Sequence, residues 1–140
     1  MTTVRRALVL VLAAGLLTTA CGGDEGDSGT ASSDNVPADQ TVEVGMVDLA
    51  FEPTALTAKS GTTVRFVFRN EGALPHQAYF GDEAVQKNLA DGKGKPVGVE
   101  VGPGQTKSFV HRFDQPARLL IGCHVPGHYT AGMKARLTVE

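Results

Sequence analysis

Apolar and polar positions alternate most clearly over residues 62–70, where Val64, Phe66 and Phe68 recur at every second position. Successive side chains of a strand point to opposite faces, so this segment predicts a half-buried β-strand. Shorter runs bounded by turn residues predict further strands at 41–47, 55–58, 77–80, 97–101, 106–113, 118–123 and 135–139. One helix is expected from Asp82 to about Ala90, with Asp82 capping its start and Gly92 ending it. About eight strands and a single short helix describe an all-β sandwich or small barrel.

The amino terminus has a different pattern. Arg5 and Arg6 precede an apolar run over 7–17, and the small residues Thr18, Thr19 and Ala20 lead to Cys21. A basic start, a short apolar stretch and small residues predict an export signal. The run is shorter than the ~20 apolar residues that span a bilayer. Ending on a cysteine, it resembles a bacterial lipoprotein signal, which implies removal of 1–20 and acylation of Cys21. Thr18 departs from that pattern, which usually has Leu three residues before the cysteine. Residues 21–40 are rich in Gly, Ser, Asp and Thr, with five acids and no base between 22 and 40, and are expected to be a disordered tether. The folded domain is then 41–140, outside the cytoplasm and held to a membrane by lipid, either on the outer face of the cytoplasmic membrane or in the periplasm.

A chain of 140 residues supports one hydrophobic core. The formal charge of -2, with no cluster of Lys and Arg interleaved with aromatics, excludes nucleic acid as a partner. Only two cysteines are present. With Cys21 committed to lipid, Cys123 is unpaired, and outside the cytosol an unpaired thiol calls for a reason. Metal ligation is one; packing as an inert small hydrophobe is the other.

The chemistry concentrates near the carboxyl terminus. An apolar run ends at Cys123, Pro126 and Gly127 form a turn, His128 follows, and Met133 comes five residues later. Thiolate and thioether suit Cu(I), imidazole suits both copper oxidation states, and two histidines, a cysteine and a weak axial methionine make an electron-transfer site. One loop supplies one imidazole here. A second has to come from elsewhere, and His76 lies directly after the best strand, in Asn70-Glu-Gly-Ala-Leu-Pro-His76.

Together, Asn70 with Pro75-His76, and Cys123, Pro126-Gly127, His128 and Met133 at their spacing, resemble the cupredoxin family of blue copper proteins, which includes plastocyanin, azurin and auracyanin. The resemblance covers 41–140. It implies a Greek-key β-sandwich and one type 1 copper ion held by His76, Cys123, His128 and Met133. It further implies a monomeric one-electron carrier, without enzymatic activity, that makes transient contacts with redox proteins of a membrane electron-transfer chain. An apolar patch of Ala73, Leu74, Pro75, Val125, Pro126 and Tyr129 around His128 is the expected contact face. A copper carrier or scavenger using the same ligands is the alternative; a copper enzyme would need further histidines, and only four are present.

Two departures from the family pattern bear on loop rigidity and redox tuning more than on copper binding. Gln77 stands where members often have the Asn that ties the two ligand loops together, and Ala117 and Leu119 stand where a Gly-x-Tyr usually precedes the cysteine. His124 is expected to point away from the metal as a surface residue, with a role on an electron path as the other reading. His111, between Phe109 and Phe113 at alternate positions, is expected to lean inward and find a hydrogen-bond partner.

Overall fold

A computed structural model describes residues 36–140. The export signal, Cys21 and most of the expected tether lie outside the described residues. Nine strands and one helix follow in order: β1 (Gln40–Val47), β2 (Ala50–Glu52), β3 (Ala55–Ala58), β4 (Thr62–Asn70), β5 (His76–Gly81), α1 (Glu83–Ala90), β6 (Gly98–Val101), β7 (Thr106–Phe113), β8 (Ala117–Gly122) and β9 (Lys134–Val139). All the expected strands form. The additional one, β2, has only three residues, too few to show a period; its pairing with β1, Met46 opposite Phe51, makes it a strand.

The strands form two sheets, ordered β2-β1-β4-β7 and β3-β9-β8-β5-β6. Their facing sides enclose Val44, Met46, Phe51, Val64, Phe66 and Phe68 from the first sheet and Ile121, Ala135 and Leu137 from the second. Phe66 lies at the centre, its ring 4.9 Å from that of Phe80 and 6.2 Å from that of Phe113. Burying an aromatic side chain of this size stabilises by about 2–3 kcal/mol, and period-two alternation makes β4 supply three of them or their aliphatic equivalents to one face.

Strand β1 begins one residue before the expected boundary at 41, and Asp39 already bonds to the sheet. Asp39 donates its N–H to the Thr63 carbonyl and accepts the Thr63 N–H on its carboxylate, both at 2.8 Å. The side chain of Gln40 bonds the backbone of Thr57 and Lys59, linking β1 to the end of β3.

Helix α1 starts as expected: the Asp82 carboxylate accepts the Val85 N–H at 2.8 Å, satisfying one of the free donors of a first turn. It ends at Asp91, followed by Gly92 at φ 68°, a left-handed conformation that glycine adopts at little cost. The helix packs beside β5 and β8, the two strands that carry ligand segments.

Candidate metal centre

The first ligand segment is built by Asn70, which ends β4 and is 1% exposed. Its amide donates to the carbonyls of Leu74 at 2.7 Å and Val101 at 3.0 Å and accepts the Gly72 N–H at 3.0 Å. The bonds to Leu74 and Gly72 fold residues 71–75 into a compact turn, and the bond to Val101 ties it to β6. Pro75 then delivers His76, the first residue of β5, into the protein at 1% exposure.

The second segment leaves β8 at Cys123, which is fully buried. The Cys123 N–H donates to the Met133 carbonyl at 3.1 Å, the His128 N–H to the Val125 carbonyl at 2.9 Å, and the Met133 N–H to the His128 carbonyl at 3.0 Å. Backbone bonds thus join the three residues of the loop to one another. Gly127 makes the reversal possible at φ 87°, a conformation unfavourable for other residues. Met133 is fully buried immediately before β9.

The two segments meet. The Cys123 sulfur lies 3.4 Å from Nδ1 of His128 and 3.9 Å from Nδ1 of His76. One ligand atom from each of the three residues falls within 4.8 Å of the others, and all three residues are buried. The imidazole rings of His76 and His128 are 5.1 Å apart, so the sulfur and two nitrogens converge on one point. Nε2 of His76 is buried without a hydrogen-bond partner, so on this ring Nδ1 is the atom that faces the donor set. Soft sulfur and borderline imidazole ligands in this arrangement fit copper.

The electrostatics of the copper-free pocket favour neutral groups. Burial lowers the pKa of His76, and the nearby His128 lowers it further. Burial also pushes the Cys123 thiol up, while backbone N–H groups of Gln77 and Val125 work against that rise by favouring the thiolate. The Gln77 N–H lies 3.4 Å from the sulfur. A cation that displaces the thiol proton resolves this opposition.

Gln77 does not bridge the ligand loops with its side chain. Its amide nitrogen donates to Glu100 at 3.3 Å instead, and the contact between the loops is made by its backbone. Ala117 and Leu119 pack partly buried against the core. His124 points away from the donor set, as expected, but is not a simple surface residue: its ring stacks on that of Tyr129 at 4.6 Å, the Tyr79 ring is 6.4 Å away, and Nε2 is 2.7 Å from Oε1 of Gln86. His111 corrects its expectation, since it is exposed, with its ring beside Phe109 and against the edge of Phe113. Of the three alternate residues of this row, Phe113 is buried, Phe109 is half-buried against the core, and His111 is exposed.

Around His128, Ala73, Leu74, Pro75 and Pro126 are exposed and Val125 is half-buried. Tyr129 differs from its expected place in this patch: its ring stacks on His124 at 4.6 Å, under the Lys134 ammonium. Sequence reasoning missed Gln86. It is the buried residue of α1, and a polar residue at the buried position of a short helix is the signal that could have drawn attention to it.

Residues 38–140 match the family model for copper binding proteins of the plastocyanin/azurin family. The chain is 32% identical to the copper-resistant cuproprotein CopI of Pseudomonas aeruginosa, an alignment covering 74% of this chain and 77% of that protein. It is likewise 32% identical to CopI of Rubrivivax gelatinosus, covering 76% of this chain and 70% of that one. Among solved structures, auracyanin B superposes with a TM-score of 0.67 at 29% identity, over 76% of this chain and 92% of auracyanin B. His76, Cys123, His128 and Met133 are arranged as a type 1 copper site.

Proposed function

Because the chain belongs to the plastocyanin/azurin family of copper-binding proteins, we propose that it carries single electrons through a type 1 copper site outside the cytoplasm, tethered to a membrane by lipid on Cys21. The observation that carries the reading is the buried convergence of His76, Cys123 and His128, reinforced by backbone bonds that lock Met133 to the same loop. Bound copper would supply the one-electron couple. The protein's contribution is to hold ligands acceptable to both oxidation states, so that little has to move when an electron arrives or leaves. Rigidity comes from Asn70 on one side and the Cys123–Met133 bonds on the other.

His128 is 7% exposed, whereas His76 is 1% exposed. Electrons would therefore pass at the His128 edge, where exposed Leu74, Pro75 and Pro126 offer a small apolar face. Such a face suits brief contact with a redox protein rather than a permanent complex. The tether would keep it near membrane-bound partners without setting its orientation.

The CopI relatives favour a second reading, in which the same site takes up copper as part of copper tolerance. The two readings differ in what leaves the protein, an electron or the ion. Copper-loaded protein should show an intense thiolate-to-copper absorption band, lost in Cys123→Ser, and should cycle repeatedly between oxidised and reduced forms while keeping its metal. Loss of copper to a Cu(I) chelator faster than electron exchange would favour the tolerance reading. Absence of the band from folded, copper-exposed protein would sink the type 1 assignment.

A further inference from the structure

The deepest residue of helix α1 is polar. Gln86 is fully buried, while Val85 beside it is 38% exposed. Its side-chain nitrogen donates to the Tyr79 carbonyl of β5 at 2.8 Å and to the Leu120 carbonyl of β8 at 3.1 Å. Both of its amide protons are thereby used on carbonyls, which fixes the orientation of the amide and leaves Oε1 facing Nε2 of His124 at 2.7 Å. An oxygen there only accepts, so Nε2 of His124 must carry the proton.

His124 has three neighbours that hold it. Gln86 bonds its edge, and the rings of Tyr129 and Tyr79 lie nearly parallel to it, at 4.6 Å and 6.4 Å and interplanar angles of 16° and 15°. Gly122 leaves the space this needs: a Cβ there would collide with Oε1 of Gln86 and the ring of Tyr129. The residues on either side of His124 belong to the metal centre. Cys123 supplies the sulfur, and the Val125 carbonyl accepts the N–H of the ligand His128 at 2.9 Å.

Resting on the copper reading above, we propose that Gln86 is a positioning residue of the copper site: by fixing His124, it holds the backbone that leaves Cys123 and so the position of the ligand sulfur. The side chain of Gln77 does not tie the ligand loops together. Gln86 supplies a tie from a different direction, joining β5, β8 and the start of the loop through one amide. Groups that orient a metal's ligands tune the metal's electronic properties, so the effect reaches the copper although Gln86 does not touch a ligand.

The test compares Gln86→Met, which fills the same space without hydrogen bonds, with His124→Phe, which keeps the ring stack but loses only the bond to Gln86. In copper-free wild type, NMR should find the His124 Nε2 proton protected; in Q86M it should exchange about tenfold faster, the loss of one hydrogen bond. In the copper-loaded proteins, both variants should move the thiolate band and the reduction potential in the same direction, and the double variant should move them no further than Q86M alone. Melting temperature should fall more in Q86M, which also loses two carbonyl partners. A purely structural Gln86 would lower the melting temperature and leave the band and potential of both variants at wild-type values, overturning the proposal. If Q86M does not fold, unchanged band and potential in H124F alone overturn it. A wild type without the band would instead refute the copper reading on which it rests.

Discussion

The backbone N–H of Gln77 points at the sulfur of Cys123 from 3.4 Å, across 46 residues of sequence. It joins the two ligand-bearing segments through a backbone donor on one and the ligand sulfur on the other. Because the bond comes from the backbone of β5, next to His76, the position of the sulfur is tied to the position of that imidazole.

This contact favours the thiolate, yet burial dominates and raises the Cys123 pKa. The copper-free protein therefore keeps the thiol proton at neutral pH, and metal binding must displace it. Lowered basicity at His76 means that this imidazole adds little proton competition above about pH 6.5. Apparent copper affinity should rise by about tenfold per pH unit between about pH 7 and about pH 8, with one proton released per ion. Competition titrations in two buffers of different ionisation enthalpy measure both; a flat profile with no proton release would contradict thiolate ligation.

Asn70 should be far more costly to change than its size suggests. Asn70→Ala leaves the carbonyls of Leu74 and Val101 and the Gly72 N–H without their partner. Leaving buried polar groups unpaired costs about 1–3 kcal/mol, so denaturant unfolding of the copper-free protein should show a loss at or above that range. Copper affinity should fall as well, because the loop that presents His76 is released. Asn70→Asp, which keeps the acceptor but not the donors, should recover only the Gly72 contact.

Gly122→Ala tests the close approach between β8 and α1. A methyl group there meets Gln86 and Tyr129, and overpacking of this kind costs about 1–3 kcal/mol. Thermal unfolding should report that loss. An Ala variant as stable as wild type would show that α1 can move outward freely.

Both tyrosines are raised above their ordinary pKa, chiefly by burial. Tyr79 is raised further by its hydrogen bond to the Glu100 carboxylate and by that carboxylate's charge. A folded-state pKa above the unfolded one favours the neutral phenol in the fold. That stabilisation is complete below the ordinary phenol range near ~10 and is lost as pH rises through the elevated values. Unfolding measured above about pH 10 should show steeper loss of stability in wild type than in Tyr79→Phe. Equal slopes would mean that Tyr79 ionises as freely in the fold as in the unfolded chain.

Much of the fold was legible because a strand's signal is local. Val64, Phe66 and Phe68 declare a buried face within five residues of chain, and the structure puts all three in the core. The three-residue β2 carried no such signal, and pairing with β1 alone makes it a strand. His111 shared the alternation of Phe109 and Phe113, yet is exposed. Period two assigns a face of the sheet, but how far along the strand that face stays covered depends on what packs over it.

The sequence by itself determined the identities and spacing of Cys123, His128 and Met133, since a single loop carries them and a ligand's chemistry belongs to its side chain. It also determined that a second imidazole had to come from another segment. Only the tertiary structure decided that His76 reaches that loop with Nδ1 facing the sulfur, that Gln77 contributes its backbone rather than its side chain, and that Gln86 holds His124. Those contacts depend on the register between strands and on how α1 lies against β5 and β8. Strand register and helix docking are set by the packing of the whole core, which no local run of residues encodes.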